Sequence, residues 1–188
     1  MILPIIKYGH PVLRAKGKWI KQSDDRIRAL AADMLETMHA ANGIGLAAQQ
    51  VGAALQLTVL DISQVEGRPS TLMINGVEVD PARAMPLILL NPRLELAKPI
   101  ETESEGCLSF PDIHGDVDRS IAVLVEAETL EGEAIFIEAE GLLARALQHE
   151  VDHLNGILFI DRMSSVEKAS LSSRLKRLQK ETMRGQRS

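Results

Sequence analysis

At 188 residues the chain is long enough to bury a hydrophobic core without staples, and it is most simply one domain. Its 45% apolar and 25% charged residues are ordinary for a globular protein, and no apolar run approaches the ~18 residues of a membrane span. Aromatics at 3% leave no stacking platform for single-stranded nucleic acid, the lone Cys107 excludes an intrachain disulfide and fits a reducing compartment, and no DNA partner is expected.

The first residues, Met1 to Tyr8, are apolar but broken by Pro4 and Lys7. They lack the basic start and cleavage site of a secretory signal, so a cytoplasmic protein is expected. Ser23 suits a helix N-cap, with Asp24 and Asp25 in the first turn where the helix dipole favours carboxylates. Ile27, Leu30, Ala31, Met34, Leu35 and Met38 then recur at helical spacing until Asn42-Gly43, which predicts an amphipathic helix over about 24–41. The run Gly43-Ile44-Gly45-Leu46-Ala47-Ala48-Gln49-Gln50 is small-residue backbone pressed against a partner segment or a substrate.

Leu55 to Ile62 reads as a strand. Between Gln64 and Met85, Asn75-Gly76 joins two short apolar runs, which predicts a surface hairpin. Pro86 to Leu90 reads as a buried strand, and Arg119 to Thr129 is expected to pair with Ala134 to Ala139 around Glu131-Gly132. Leu142, Leu143, Ala146, Leu147, Val151 and Leu154 mark a buried helix ending at Asn155-Gly156. Strands segregated between helices, without βαβ alternation, indicate an α+β fold. From Ser164 onward, Lys168, Arg174, Lys176, Arg177, Lys180, Arg184 and Arg187 outweigh Glu167 and Glu181, giving the tail +5 and the rest −10. Leu171, Leu175 and Leu178 make that tail an amphipathic helix.

The most informative stretch is His149-Glu150-Val151-Asp152-His153, on the buried helix. Residues four apart differ by about 40° in azimuth and about 6 Å in rise, so both imidazoles can reach one ion. Glu150, about 100° round from His149, can reach a water beside that ion without ligating it. A catalytic ion of this kind usually has three protein ligands and an open position. In one large protease class the third is a histidine six residues after the second, but Phe159 stands there, which excludes that class. Asp161 and Glu167 remain possible as third ligands. Cys107 is the better candidate, in the backbone-shaped stretch Glu105-Gly106-Cys107-Leu108-Ser109-Phe110-Pro111; a thiolate with two imidazoles leaves a fourth site free. A closed structural metal site would need a fourth protein ligand, and His10, His39 and His114 show no ligand spacing.

Three segments, in order, resemble the signature motifs of the peptide deformylases: Gly-x-Gly-x-Ala-Ala-x-Gln at Gly43 to Gln50, Glu-Gly-Cys-Leu-Ser at Glu105 to Ser109, and Gln-His-Glu-x-Asp-His at Gln148 to His153. The resemblance runs from the N-terminus to about Asp161, with 64–85 as an insertion. It implies antiparallel β-sheets packed around a central metal-binding helix with a C-terminal helix, and a catalytic metallohydrolase domain at 1–163 followed by a basic tail at 164–188. It also implies hydrolysis of the N-formyl group from N-formylmethionyl peptides, releasing formate. Cys107, His149 and His153 would hold the metal, Glu150 would serve as general base and acid, and Gln50 with the Leu108 backbone N–H would stabilise the oxyanion. Ile44 and Gly45 would line the peptide groove, and Leu142 and Ala146 would wall the methionine pocket. Glu105 and Arg119 would pair and so position the Cys107 loop. His114 stands where some members carry arginine. The resemblance implies Fe2+ as the ion, with Zn2+, Ni2+ or Co2+ as substitutes, and allows contact of the basic tail with the ribosome.

Overall fold

The computed structural model describes residues 1–186, apart from the side chain of Lys98; the tail residue Arg187 lies outside them. Helix α1 spans Asp25–Ala40. Its cap is Asp24, whose carboxylate accepts the N–H of Ile27 at 3.0 Å, and not Ser23, whose buried Oγ has no partner among the described residues. A carboxylate at this position serves both the orphan N–H and the helix dipole, whereas a hydroxyl serves only the first.

Short strands β1 (Gly45–Ala47) and β2 (Leu57–Leu60) follow, buried at every position. β2 has no solvent face because Leu57 and Val59 pack with α1 while Leu60 enters the opposite core. The segment expected as a surface hairpin forms β3 (Ser70–Ile74) and β4 (Val77–Glu78), then a single turn α2 (Pro81–Ala84). Asn75 and Gly76 take φ of 51° and 78°, as a two-residue hairpin turn requires. This hairpin is more than surface decoration, since β3 extends the main sheet.

Two long strands, β5 (Leu87–Cys107) and β6 (Phe110–Glu128), run antiparallel and are followed by β7 (Ala134–Gly141). The buried strand expected at Pro86 to Leu90 is thus only the start of a much longer element, which begins at Leu87. Register shifts between Leu90 and Arg93, Ala97 and Ile100, and Gly106 and Cys107 bend the hairpin. The sheet order is β1-β2-β5-β6-β7-β3-β4, antiparallel throughout. Against it lies helix α3 (Leu142–Leu154), with Leu143, Ala144 and Leu147 at zero exposure in the core that also holds Val123, Val125 and Ile137.

The hairpin expected to be peripheral also caps α3. Pro69 O accepts from Leu142 N at 3.4 Å and Ser70 Oγ from Leu143 N at 3.0 Å, satisfying two of the helix's orphan donors. The tail breaks at Leu171 into α4 (Ser165–Ser170) and α5 (Ser172–Gly185). Leu171 and Leu175 are buried with Leu13, Phe110, Val117 and Phe159, so the tail is packed on the body by its apolar stripe. None of the described helices is long and apolar enough to cross a membrane.

Candidate active site

Helix α3 carries an unusual load for a buried element: Arg145, Gln148, Glu150, Asp152 and His153 are all buried, and His149 nearly so. Such groups are tolerated only when paired or when they hold an ion. Most are paired. Gln148 bridges to the backbone of Ser120 through Oε1 and Nε2 at 3.0 and 2.8 Å. Arg119 donates to Glu105 through Nε and Nη2 at 2.9 and 3.1 Å and to Asp152 at 2.5 Å. Arg145 donates to Glu105 at 2.9 Å and to the carbonyls of Val117 and Glu101. Asp152 is completed by Arg162 at 2.6 Å.

The end of this network is His149, whose Nδ1 donates to Glu105 Oε2 at 3.0 Å. That bond fixes the tautomer and turns the other ring nitrogen toward the cavity. One turn on, His153 Nε2 lies 3.2 Å from Cys107 Sγ. Cys107 is the last residue of β5; it pairs with Phe110 across a two-residue turn, Leu108-Ser109. One donor atom from each of Cys107, His149 and His153 lies within 4.8 Å of the other two. The cage fits a divalent ion chemically: a soft thiolate, two imidazoles and a side left open to the cavity. Two buried atoms beside it, Glu150 Oε2 and His153 Nδ1, have no hydrogen-bond partner among the described residues.

The alternative third ligands and the remaining histidines lie outside this group, Glu167 with its Oε1 against Gly115, where an added Cβ would meet it at 3.2 Å. Asp161 is paired with Arg14 and accepts from Leu158 N. His10 caps Val12, His39 pairs with Asp61, and His114 lies against Gly106, where an added Cβ would meet its ring at 2.7 Å.

Electrostatics differ among the buried groups. Burial opposes the charge on Glu105, but His149 and Arg119 override it and hold its carboxyl well below the usual range. Burial pushes Glu150 up to about 7, with the charge of His149 acting against that rise. Burial drives His153 well below the ordinary imidazole value, and the charge of His149 adds to the effect. For His149 burial acts downward, but hydrogen bonds to Cys107 and Glu105 prevail and raise it.

The glycine-rich segment supplies the opposite wall. A Cβ on Gly45 would sit within 3.0 Å of Cγ, Cδ and Oε1 of Glu150, and one on Gly43 would meet Leu108 Cδ1 at 2.7 Å. Glycine at 45 lets β1 lie against the Glu150 side chain, and glycine at 43 leaves room for the Leu108 side chain. Gln50, 1% exposed, is oriented by accepting Ala47 N at 2.8 Å through Oε1, which aims Nε2 at Cys107 Sγ (3.4 Å) and Ser109 Oγ (3.3 Å). Ile44, Gly45, Leu142 and Ala146 all line the same cavity of about 390 Å³, together with Cys107, His149 and Glu150.

Aromatic residues, scarce overall, converge here. Tyr8 stacks on Phe110 at 4.8 Å, Phe110 meets Phe159 edge-on at 5.0 Å, and Phe159 lies 6.1 Å from the His149 ring. Phe159, at the position where one protease class has a third histidine, therefore supports α3 by packing.

Sequence reasoning missed Arg145, Ser109, Arg68 and Lys7. Arg145 was findable on the same ground as Asp152, because a charge on an otherwise apolar helix must be paired. Arg68 comes from the 64–85 segment, lines the cavity and pairs with Glu103. Nothing in the sequence marked Lys7.

The chain matches the family model described as polypeptide deformylase over residues 2–169. A peptide deformylase of Methylacidiphilum infernorum is 46% identical over 180 residues, covering 96% of this chain and 94% of that one. One from Acinetobacter baumannii is 41% identical over 178 residues, 94% of this chain and 92% of that one. Among solved structures, peptide deformylase from Thermus thermophilus superposes with a TM-score of 0.81 at 34% identity, over 96% of this chain and 99% of that one. A plant peptide deformylase superposes with 0.82 at 35% identity, over 95% and 90%.

Proposed function

The chain belongs to the polypeptide deformylase family, and from that premise we propose the roles of its individual residues and the identity of its ion. It is a metal-dependent amide hydrolase that removes the N-formyl group from nascent peptides. The observation that carries the site assignment is the convergence of Cys107 Sγ with two imidazoles 42 and 46 positions away in sequence.

Cys107, His149 and His153 hold the divalent ion. When bound, that ion supplies Lewis acidity that brings the pKa of water from about 15.7 toward roughly 7. Glu150 takes a proton from the attacking water and delivers it to the departing amine, a carboxylate role supported by its place at the cage and the free Oε2. Gln50 Nε2 and the Leu108 N–H receive the oxyanion that forms when the formyl carbon becomes tetrahedral. Ile44 and Gly45 offer backbone to an extended peptide as an added strand. Leu142 and Ala146 wall the pocket for the methionine side chain. Glu105 orients His149, and Arg119 and Arg145 hold Glu105 in place.

Fe2+ is the proposed ion, with Zn2+, Ni2+ or Co2+ able to substitute, since a thiolate with two imidazoles suits each of these softer divalent ions. The cytoplasm, where formylated chains emerge, is the proposed location. Residues 1–163 form the catalytic unit in this reading, with 164–188 as a basic tail. The exposed Lys176, Lys180 and Arg184 offer phosphate contacts to ribosomal RNA, a salt-dependent interaction. Unchanged ribosome co-sedimentation at low salt, after these three are replaced by glutamate, would remove that role.

The decisive assay is formate release from formyl-Met-Ala-Ser under anaerobic conditions, with and without chelator. Activity that a chelator abolishes and Fe2+ restores supports the reading. A Cys107→Ala protein that keeps its metal would overturn the ligand set. Equal rates for separately loaded iron, nickel and zinc forms would overturn the preference for iron.

A further inference from the structure

Two consecutive turn carbonyls beside the cage, Leu108 O and Ser109 O, lie outside the β5–β6 ladder, and buried carbonyls must find donors elsewhere. Both find them in consecutive residues of the N-terminal segment. Lys7 Nζ donates to Leu108 O at 2.7 Å, and Tyr8 N donates to Ser109 O at 2.9 Å. The residue before them, Ile6, donates its N–H to Gln50 O at 2.8 Å. Three successive residues thus clasp both segments assigned to the oxyanion, and Lys7 does so with its side chain from within the cavity lining.

We infer that Lys7 is a positioning residue for deformylation: its ammonium holds the Leu108-Ser109 turn so that the Leu108 N–H and the Gln50 amide face the same point. This rests on the assignment of Gln50 and Leu108 as oxyanion donors. Fixing the Leu108 carbonyl restricts ψ of Leu108, and so the peptide plane next to the one bearing its N–H. The Tyr8 backbone bond and the Tyr8–Phe110 stack hold the strap itself, which leaves the Lys7 ammonium to set the turn. A charge-assisted bond to a carbonyl is shorter and stiffer than a neutral one, which is what a donor needed only in the transition state requires. A side chain acting this way changes kcat, whereas a side chain that contacts the peptide in the ground state changes KM.

The test uses the Fe2+-loaded full chain with formyl-Met-Ala-Ser, comparing wild type, Lys7→Met and Lys7→Arg. Misplacing a donor should lower kcat of Lys7→Met about 10- to 100-fold with KM within about twofold, and Lys7→Arg should recover most of the loss. A second readout, hydrogen exchange of the 107–110 segment in the metal-free protein, should be faster in Lys7→Met and near wild type in Lys7→Arg. Wild-type kcat in Lys7→Met overturns the inference, as does unchanged exchange at 107–110. A loss expressed mainly in KM overturns it in favour of direct peptide contact. Gln50→Ala, run in parallel, separates the two readings. A loss of turnover there with none in Lys7→Met removes the role of Lys7 alone, and full turnover there removes the oxyanion assignment and this inference together.

Discussion

Replacing Glu105 by glutamine tests the network that reaches His149. The carboxylate is 7% exposed and accepts from Arg119 twice, from Arg145 and from His149. Breaking a buried charge network by removing one partner typically costs about 3–5 kcal/mol. Here the lower end applies, because glutamine keeps an acceptor oxygen, Arg119 retains Asp152, and Arg145 retains Glu103 and two carbonyls. About 3 kcal/mol in a chain of this size corresponds to a fall of roughly 6–12 °C in Tm. Stability should be measured on the metal-free protein, since a bound ion adds its own stabilisation. Metal affinity, read by competition titration, should fall about 10- to 100-fold as His149 loses its orienting acceptor. A Tm within about 2 °C of wild type together with unchanged metal affinity would refute the reasoning on both counts.

Gln50→Ala should lower kcat about 10²–10³-fold while the metal content stays at wild type, as measured by steady-state kinetics and metal analysis. Gly45→Ala should reduce formate release sharply and cost about 1–3 kcal/mol by denaturant titration, because the new methyl displaces the Glu150 carboxylate. For Asp161, burial acts upward but the Arg14 hydrogen bond overrides it and holds the carboxyl below its ordinary 3.8. A depressed folded value means that the contribution is present above the unfolded pKa and lost as pH falls through the folded one. Asp161→Asn should therefore lower stability at pH 7 by about 1 kcal/mol or less, the pair being partly exposed. That gap should close as pH falls below the ordinary aspartate range and through the lowered folded value, as followed by thermal unfolding across pH.

Much of this molecule follows from local sequence. Helical spacing from Ile27 to Met38 sets α1, and Asn75-Gly76 sets its hairpin turn because few residue pairs accept two positive φ values. The spacing of His149 and His153 sets two donors on one helical face, because the α-helical repeat is independent of context. Only the tertiary structure decided what lies opposite that face. Which donor closes the cage, Cys107 or Asp161, depends on a 21-residue bent strand returning its last residue to α3, and on Arg14 holding Asp161 away. The hairpin expected to be peripheral became the cap of α3 because an orphan N–H is satisfied by whatever backbone arrives, with no mark in the sequence. Lys7 illustrates the same point: an ammonium is read as solvated until the fold supplies a carbonyl at 2.7 Å. Periodicity is a property of short segments, whereas pairing between segments distant in the chain is settled by which buried polar groups must find partners once the core has closed.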